Sequence, residues 1–444
     1  MATTGSRKAT STHSSVSAVD ADHARNNKSE DTAGPPLSSA RTRFRRHLFY
    51  ALVITVLVVI AGYHQVLPVF RSHFKNYLQI GDARFGFLFS ISALPSLISI
   101  LLGGQLIDRW GPRRMIRIGL TGLGTSMFVV AFAGQRFWPF AVAAGIAGVF
   151  SGPLFIAVSA YLGKLFPNNQ RQVLSLNLAS TSAGGMMFPL VAEGFLTLAR
   201  RSETIAFRHI LHLPFFIVGS IVLVSSLIYR KRAHAGLSAG DAPASSDNRS
   251  WHWRDLLLPR HSFFLAALIA VHGISDSTIH VWMARFLESR SFHAALIAPG
   301  LVMSAHSLAY LLARGVLAAL PDRVGRRMFM IVPGLLGGGI LIGGILSRDY
   351  LLTACGYIVA SFCWSCEYPA MVSTLLRTDR RRFGAGMAVA GVISSMIRFL
   401  LLIGMGILIE RLGEQMMWLV MLVPACGFPL IGVGGWVWQR WYGE

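Results

Sequence analysis

The chain has 444 residues, of which 53% are hydrophobic and only 14% are charged, and its mean hydropathy is +0.53. A soluble protein of this length needs more charge to cover its surface, so the composition indicates an integral membrane protein. The formal net charge of +21 does not indicate a nucleic-acid partner, because the cations fall in short clusters between apolar segments rather than on one folded face.

The chain begins with a polar segment and continues as a series of apolar runs. Residues 1–47 are rich in Ser, Thr, Ala and charge and contain no apolar core, which predicts a disordered tail. A membrane helix needs about 20 mostly apolar residues, and roughly twelve such runs follow. They are residues 48–69, 85–107, 115–134, 138–163, 173–198, 210–229, 261–283, 296–320, 328–347, 350–376, 384–408 and 417–438.

The longest segment between runs divides them into two equal sets. Residues 231–260 are rich in Ala, Ser, Gly and Asp, which is typical of a flexible linker between a half at 48–230 and a half at 261–438. Dense Lys and Arg clusters precede the first run and follow the second, sixth and tenth, so all lie on one side of the membrane. The positive-inside rule assigns that side to the cytoplasm, together with the N-terminal tail and the tail at 439–444.

A charged motif lies where the second run leaves the membrane, and a degenerate copy follows the eighth run. The first reads "GGQLIDRWGPRR" and the second "ALPDRVGRR". Repeated topology of this kind is typical of transporters built from parallel repeats. The residues of the two copies are Gly104, Asp108, Arg109, Gly111, Arg113 and Arg114, and Asp322, Arg323, Gly325 and Arg327.

The first copy resembles the loop motif of the major facilitator superfamily, G-x-x-x-D-R/K-x-G-x-R/K-R/K, at every position. The second copy departs from it, with Ala318 for the first glycine and Met328 for the last cation. The resemblance implies an all-α integral membrane fold, with 12 transmembrane helices in two six-helix bundles related by a pseudo-two-fold axis. It also implies a conformational latch, in which Asp108 meets the start of the eleventh run. The alternative is that the arginines only fix topology.

Ionisable residues inside a span are costly and therefore point to function. His272, Asp276 and His280 recur every fourth residue in the seventh run and share one helix face. A carboxylate beside imidazoles suits proton coupling. The alternative is that these groups only satisfy one another or nearby backbone. Glu193 and Glu367 are further candidates for carrying protons or for binding a cationic substrate.

Two arginines lie inside the eighth and eleventh runs. Arg314 and Arg398 cannot lose their charge, so each needs a carboxylate partner or an anionic substrate. Their placement resembles oxalate/formate exchangers and monocarboxylate transporters of the superfamily, in which cations in these spans bind substrate carboxylates. The alternatives are a structural role for Arg314 and a salt bridge between Arg398 and Glu367.

We therefore expect a monomeric secondary transporter in a bacterial-type inner membrane. It is expected to take up or exchange a small organic anion with H⁺ as the coupling ion; the alternative is proton-driven efflux of a hydrophobic or cationic compound. A non-transporting sensor with the same fold is a third possibility, against which the intact Asp108 motif counts. No H-E-x-x-H, G-x-S-x-G or phosphate-loop motif is present, so we expect no enzyme activity, cofactor or metal.

Overall fold

The computed structural model describes most of the chain after the first predicted span. The described residues are 53, 75, 78–92, 94–95, 97–98, 106, 110–133, 136–165, 170–201, 207–234, 258–289, 297–319, 328–379 and 383–442, some of them by backbone only. Regular structure within these ranges is helical. Seven of the described helices are long and apolar enough to cross a membrane. The all-α integral membrane fold expected from the sequence is confirmed.

The helices follow the predicted spans closely. They are α1 (Asp82–Ser90), α2 (Pro112–Phe132), α3 (Phe137–Leu165), α4 (Gln170–Arg201), α5 (Phe207–His234), α6 (Arg260–Leu287), α7 (Pro299–Ala319), α8 (Met328–Ser347), α9 (Tyr350–Trp364), α10 (Glu367–Thr378), α11 (Phe383–Leu412), α12 (Met417–Ala425) and α13 (Gly427–Tyr442). A 3₁₀ turn at Glu414–Met416 precedes α12. From the third predicted span onward, the apolar runs therefore coincide with helices.

Two predicted spans are broken rather than continuous. The tenth divides into α9 and α10 at Ser365 and Cys366, and the twelfth divides into α12 and α13 at Cys426. Pro369 and Pro429 follow these breaks by three or four residues. A proline lacks the N–H that bonds the carbonyl four residues earlier, and its ring crowds that carbonyl. The first break makes Glu367 the first residue of α10.

The two halves of the chain meet along two helix pairs. Helix α4 of the first half packs against α7 of the second, and α1 packs against α11. Glycines permit the second contact, since a Cβ at Gly86 would lie 2.5 Å from the Leu402 carbonyl oxygen. A Cβ at Gly406 would lie 2.6 Å from the Asp82 carbonyl oxygen. The backbones of α1 and α11 are therefore in direct contact at this end.

Charged side chains surround the start of α1, and we call Lys75, Asp82, Arg285, Glu410 and Glu414 the α1 cluster. Lys75 Nζ lies 3.1 Å and Arg285 Nη2 3.9 Å from Asp82 Oδ2. Arg285 also forms an ion pair with Glu414. Glu410 Oε1 accepts a hydrogen bond of 2.9 Å from the Ala83 N–H at the start of α1. The cluster ties α1 to α6 and α11 of the other half.

Candidate functional site

A cavity of about 290 Å³ lies between the two halves, with walls from α4, α6, α7 and α11. Four of the sequence candidates line it, namely Asp276, His280, Arg314 and Arg398. Most of the remaining polar wall consists of His306 and the hydroxyl side chains of Thr181, Ser182, Ser277, Ser307 and Tyr310. The structure thus brings two arginines, an acid and two histidines to one space.

Arg314 is a buried cation whose observed partners are neutral. It is 8% exposed, and its Nη1 donates to the Leu178 carbonyl at 2.8 Å and to Ser182 Oγ at 2.7 Å. Its guanidinium lies 4.6 Å from the ring centroid of Tyr310. Within the described part of the chain, no carboxylate lies in salt-bridge distance of Arg314. The acid of the same cavity wall, Asp276, is hydrogen-bonded to Tyr310 rather than to Arg314.

Arg398 reaches the same cavity from α11 and is partly exposed. The salt bridge with Glu367 that the sequence left open is not formed. Glu367 instead pairs with His272, whose Nδ1 lies 2.9 Å from Glu367 Oε2. The two arginines, which lie on helices far apart in sequence, therefore face a common space.

The Asp276 carboxylate is hydrogen-bonded to a tyrosine, which is in turn hydrogen-bonded to a tryptophan. The Tyr310 hydroxyl donates to Asp276 Oδ1 at 2.5 Å and accepts from Trp364 Nε1. These bonds join α6, α7 and α9 around the carboxylate. Asp276 is nevertheless one of the residues that line the cavity, so its carboxyl group adjoins the space that Arg314 and Arg398 share.

The predicted face of the seventh span divides between two environments. Asp276 and His280 line the cavity, whereas His272, 3% exposed, forms the pair with the fully buried Glu367. Asp276 and His272 therefore have different partners rather than each other. Glu193 lies on α4, partly exposed and outside the cavity wall.

His306 also lines the cavity; in the sequence it is one of the ionisable residues inside a predicted span, to which no role was assigned. Its Nδ1 lies 2.6 Å from Ser361 Oγ, and its ring stacks on Tyr357 with centroids 4.4 Å apart and planes 3° apart. It precedes Tyr310 by four residues and Arg314 by eight, so all three share one face of α7. That spacing was the available signal in the sequence.

Most of the predicted latch lies outside the described residues, namely Gly104, Asp108, Arg109, Asp322, Arg323, Gly325 and Arg327. Gly111 precedes α2 with φ 78°, a conformation that favours glycine. Arg113 lies 5.8 Å from the ring centroid of Tyr161, and Arg114 lies 5.6 Å from that of Trp110. Among the described residues, no group of three His, Cys, Asp or Glu side chains is placed to hold a metal ion.

Comparisons with known proteins agree with this architecture. A family profile described as Major Facilitator Superfamily matches residues 48–297, more than half of the chain. The D-galactonate transporter of Escherichia coli O6:H1 is 23% identical over 358 residues, which are 74% of this chain and 80% of that protein. Multidrug resistance protein 2 of Bacillus subtilis is 23% identical over 238 residues, or 51% of this chain. An MFS-type transporter of Aspergillus fumigatus is 23% identical over 167 residues.

The residues aligned with this chain make up only 54% of the Bacillus protein and 37% of the Aspergillus protein. Among solved structures, the chain is similar to FucP, a Major Facilitator Superfamily transporter, in the outward conformation. The TM-score is 0.64 at 15% sequence identity, over 88% of this chain and 98% of FucP. This likeness shows a common fold, and the profile match shows the family. The chain belongs to the Major Facilitator Superfamily of multi-pass membrane transporters.

Proposed function

We propose that this protein transports a small organic anion together with H⁺ by alternating access, and that Arg314 and Arg398 bind the anion. The main support is that both arginines line one cavity between the two halves. A transporter of this kind binds its substrate where the halves meet, so that rocking of the halves exposes the site to either side. The D-galactonate transporter among the relatives has a name that fits an anionic substrate.

The charges of the cavity favour an anion over a cation. Arg314 and Arg398 contribute two positive charges, and Asp276 contributes at most one negative charge. The described hydrogen-bond partners of Arg314 are a carbonyl and hydroxyl groups, so no described carboxylate is bonded to its guanidinium. A substrate carboxylate offers the paired acceptors that a guanidinium binds best.

Asp276 is our proposed proton site because it shares the cavity with the arginines. Protonation of Asp276 removes a negative charge and so strengthens anion binding, and by reciprocity a bound anion strengthens proton binding. His280, in the same wall, is a second candidate. Glu367 and His272 are less suited, since both are buried in a pair outside the wall. Glu193 lies outside the wall as well.

We further propose the predicted orientation, with both termini in the cytoplasm of a bacterial-type inner membrane, and a monomeric protein. The loop motif would act as a cytoplasmic latch between Asp108 and the start of α11. Two observations support the latch. The sequence matches the motif at all six positions, and Gly111 has a φ of 78°, a conformation that glycine adopts more readily than other residues.

A second candidate function is proton-driven efflux of a hydrophobic or cationic compound. It is favoured by the name of the Bacillus relative, multidrug resistance protein 2. In that case Asp276 would bind the cation, and the two arginines of the cavity would oppose it. The sign of the charge on the ligand that the cavity binds therefore distinguishes anion transport from cation efflux.

The experiment is a thermal-shift screen of the purified protein in detergent against two panels, small carboxylates and lipophilic cations. A ligand that prefers the folded state raises the melting temperature. We expect carboxylates to stabilise the wild type and to lose this effect in Arg398→Gln. The matched control is Arg440→Gln, because Arg440 lies over Trp436 outside the cavity. Stabilisation by the cations alone would replace the proposal with the efflux function.

A further inference from the structure

The hydrogen-bonding pattern of the cavity wall distinguishes donors from acceptors. Ser361 Oγ donates to the Tyr357 carbonyl oxygen at 2.6 Å, since a carbonyl can only accept. The hydroxyl has one proton, so at its contact with His306 Nδ1, also 2.6 Å, the serine oxygen accepts and the ring N–H donates. The neutral His306 ring therefore carries its hydrogen on Nδ1, and Nε2 is a lone-pair acceptor.

The orientation of this acceptor is fixed by packing. The ring lies flat on Tyr357, with planes 3° apart, and its Nδ1 edge is bonded to Ser361 of α9. Nε2 is the ring nitrogen that is not bonded to Ser361, and His306 belongs to the cavity wall. A ligand in the cavity therefore meets a nitrogen that can accept a hydrogen bond and cannot donate one.

The hydroxyl groups of the wall have the same polarity. Ser277 Oγ donates to the Gly273 carbonyl at 2.5 Å, and Thr181 Oγ1 donates to the Leu178 carbonyl at 2.6 Å. Their oxygens have only lone pairs left for a ligand. The Tyr310 proton is likewise committed to Asp276. Ser277, Thr181 and Tyr310 therefore add acceptors to the cavity wall beside His306.

We infer that the substrate is a carboxylate that carries hydroxyl groups, an inference that rests on the proposed function of anion transport. Its carboxylate binds Arg314 and Arg398, and its hydroxyls donate to His306 Nε2 and Ser277 Oγ. A plain alkyl carboxylate makes no hydrogen bond to these acceptors, so it lacks the affinity that hydroxyl donors add. An ammonium group could also donate, but the two guanidinium charges disfavour it.

The test compares the affinities of matched ligands by titration calorimetry of the whole purified protein. The pairs are D-gluconate against hexanoate and glycerate against propionate, with β-alanine as the ammonium-bearing counterpart. We expect each hydroxylated ligand to bind at least about tenfold more tightly than its alkyl counterpart. In His306→Phe, which keeps a ring against Tyr357, this ratio should fall by about five- to tenfold, with the affinity for the alkyl ligand little changed.

Ser277→Ala is the second variant, in case His306→Phe does not fold, and it should lower the same ratio by a few-fold. His261→Phe is the control, since His261 lies near Tyr442 and outside the cavity. Equal affinity for hydroxylated and alkyl carboxylates would overturn the inference and leave anion transport standing, and so would a preference for β-alanine. No binding of any carboxylate would overturn both proposals.

Discussion

Two buried arginines in this protein have opposite surroundings, one in the α1 cluster and one in the cavity. Arg285 is 6% exposed and Arg314 is 8% exposed, so burial does not distinguish them. Arg285 contacts the carboxylates of Asp82 and Glu414. Arg314 contacts a backbone carbonyl and the hydroxyls of Thr181 and Ser182. The first charge is balanced by carboxylates in direct contact, whereas we propose that the second is balanced by a bound ligand.

Because of this difference, we expect a substitution at Arg285 to change protein stability and a substitution at Arg314 to change ligand binding. Removal of Arg285 takes a cation from both Asp82 and Glu414 and leaves Lys75 as the partner of Asp82, so part of the cluster's stabilisation is lost. The direct hydrogen-bond partners that removal of Arg314 leaves behind are neutral and need no counter-charge. The same substitution, arginine to glutamine, should therefore act mainly on folding at one site and mainly on ligand affinity at the other.

The largest effect on stability is expected for Arg285→Gln. It should lower the free energy of unfolding by about 2 kcal/mol, because Asp82 and Glu414 lose their contacts with Arg285 while Lys75 still pairs with Asp82. Thermal unfolding in detergent measures the change, with Arg440→Gln as the control. Because the three residues act together, Asp82→Asn combined with Arg285→Gln should cost less than the two single losses summed. An unchanged melting temperature in Arg285→Gln would show that the cluster does not hold the two halves together.

An intermediate effect is expected from Asp276→Asn. In the wild type, anion affinity should weaken as pH rises, because loss of the Asp276 proton adds a negative charge beside the arginines. The asparagine variant cannot ionise, so it should keep the low-pH affinity at every pH, about tenfold above that of the wild type at high pH. Calorimetric titrations across the pH range in which the protein stays folded measure this dependence.

The control for Asp276→Asn is Glu193→Gln, since Glu193 lies outside the cavity wall and should retain the wild-type pH dependence. If Asp276→Asn retained that dependence and Glu193→Gln lost it, the proton site would be Glu193.

The smallest effect is expected from Glu367→Gln. Glutamine can keep one hydrogen bond with His272, so the stability loss should be about 1 kcal/mol. Because the pair lies outside the cavity, anion affinity and its pH dependence should be unchanged. Loss of pH dependence in this variant would transfer the proton site to the His272–Glu367 pair.

The helices could be predicted from the sequence because each membrane span satisfies its own backbone hydrogen bonds and shows as a local apolar run. The eighth and ninth predicted spans, for example, coincide with α7 and α8. The breaks at Ser365 and Cys426 were not predicted, although each lies just before a proline. Other prolines, such as Pro153 and Pro333, lie inside unbroken helices, so proline alone does not give the break.

Side-chain partners were the least predictable feature, because they depend on how distant helices pack. Arg314, Arg398 and Asp276 could be recognised in the sequence because a charged side chain inside a membrane span costs free energy. That they share one cavity could not be predicted. One alternative from the sequence was a salt bridge between Arg398 and Glu367, but in the structure Glu367 pairs with His272. His306 received no role from the sequence because its partner, Ser361, lies on another helix.

The most direct test of the account is calorimetric titration of a small carboxylate that stabilises the wild type into the double variant Arg314→Gln/Arg398→Gln. We expect about 100-fold weaker binding, since two charge-assisted contacts are lost, and a melting temperature close to that of the wild type. Arg440→Gln should bind as the wild type does. Unchanged affinity in the double variant would contradict the account, because the anion would then bind without the two cavity arginines.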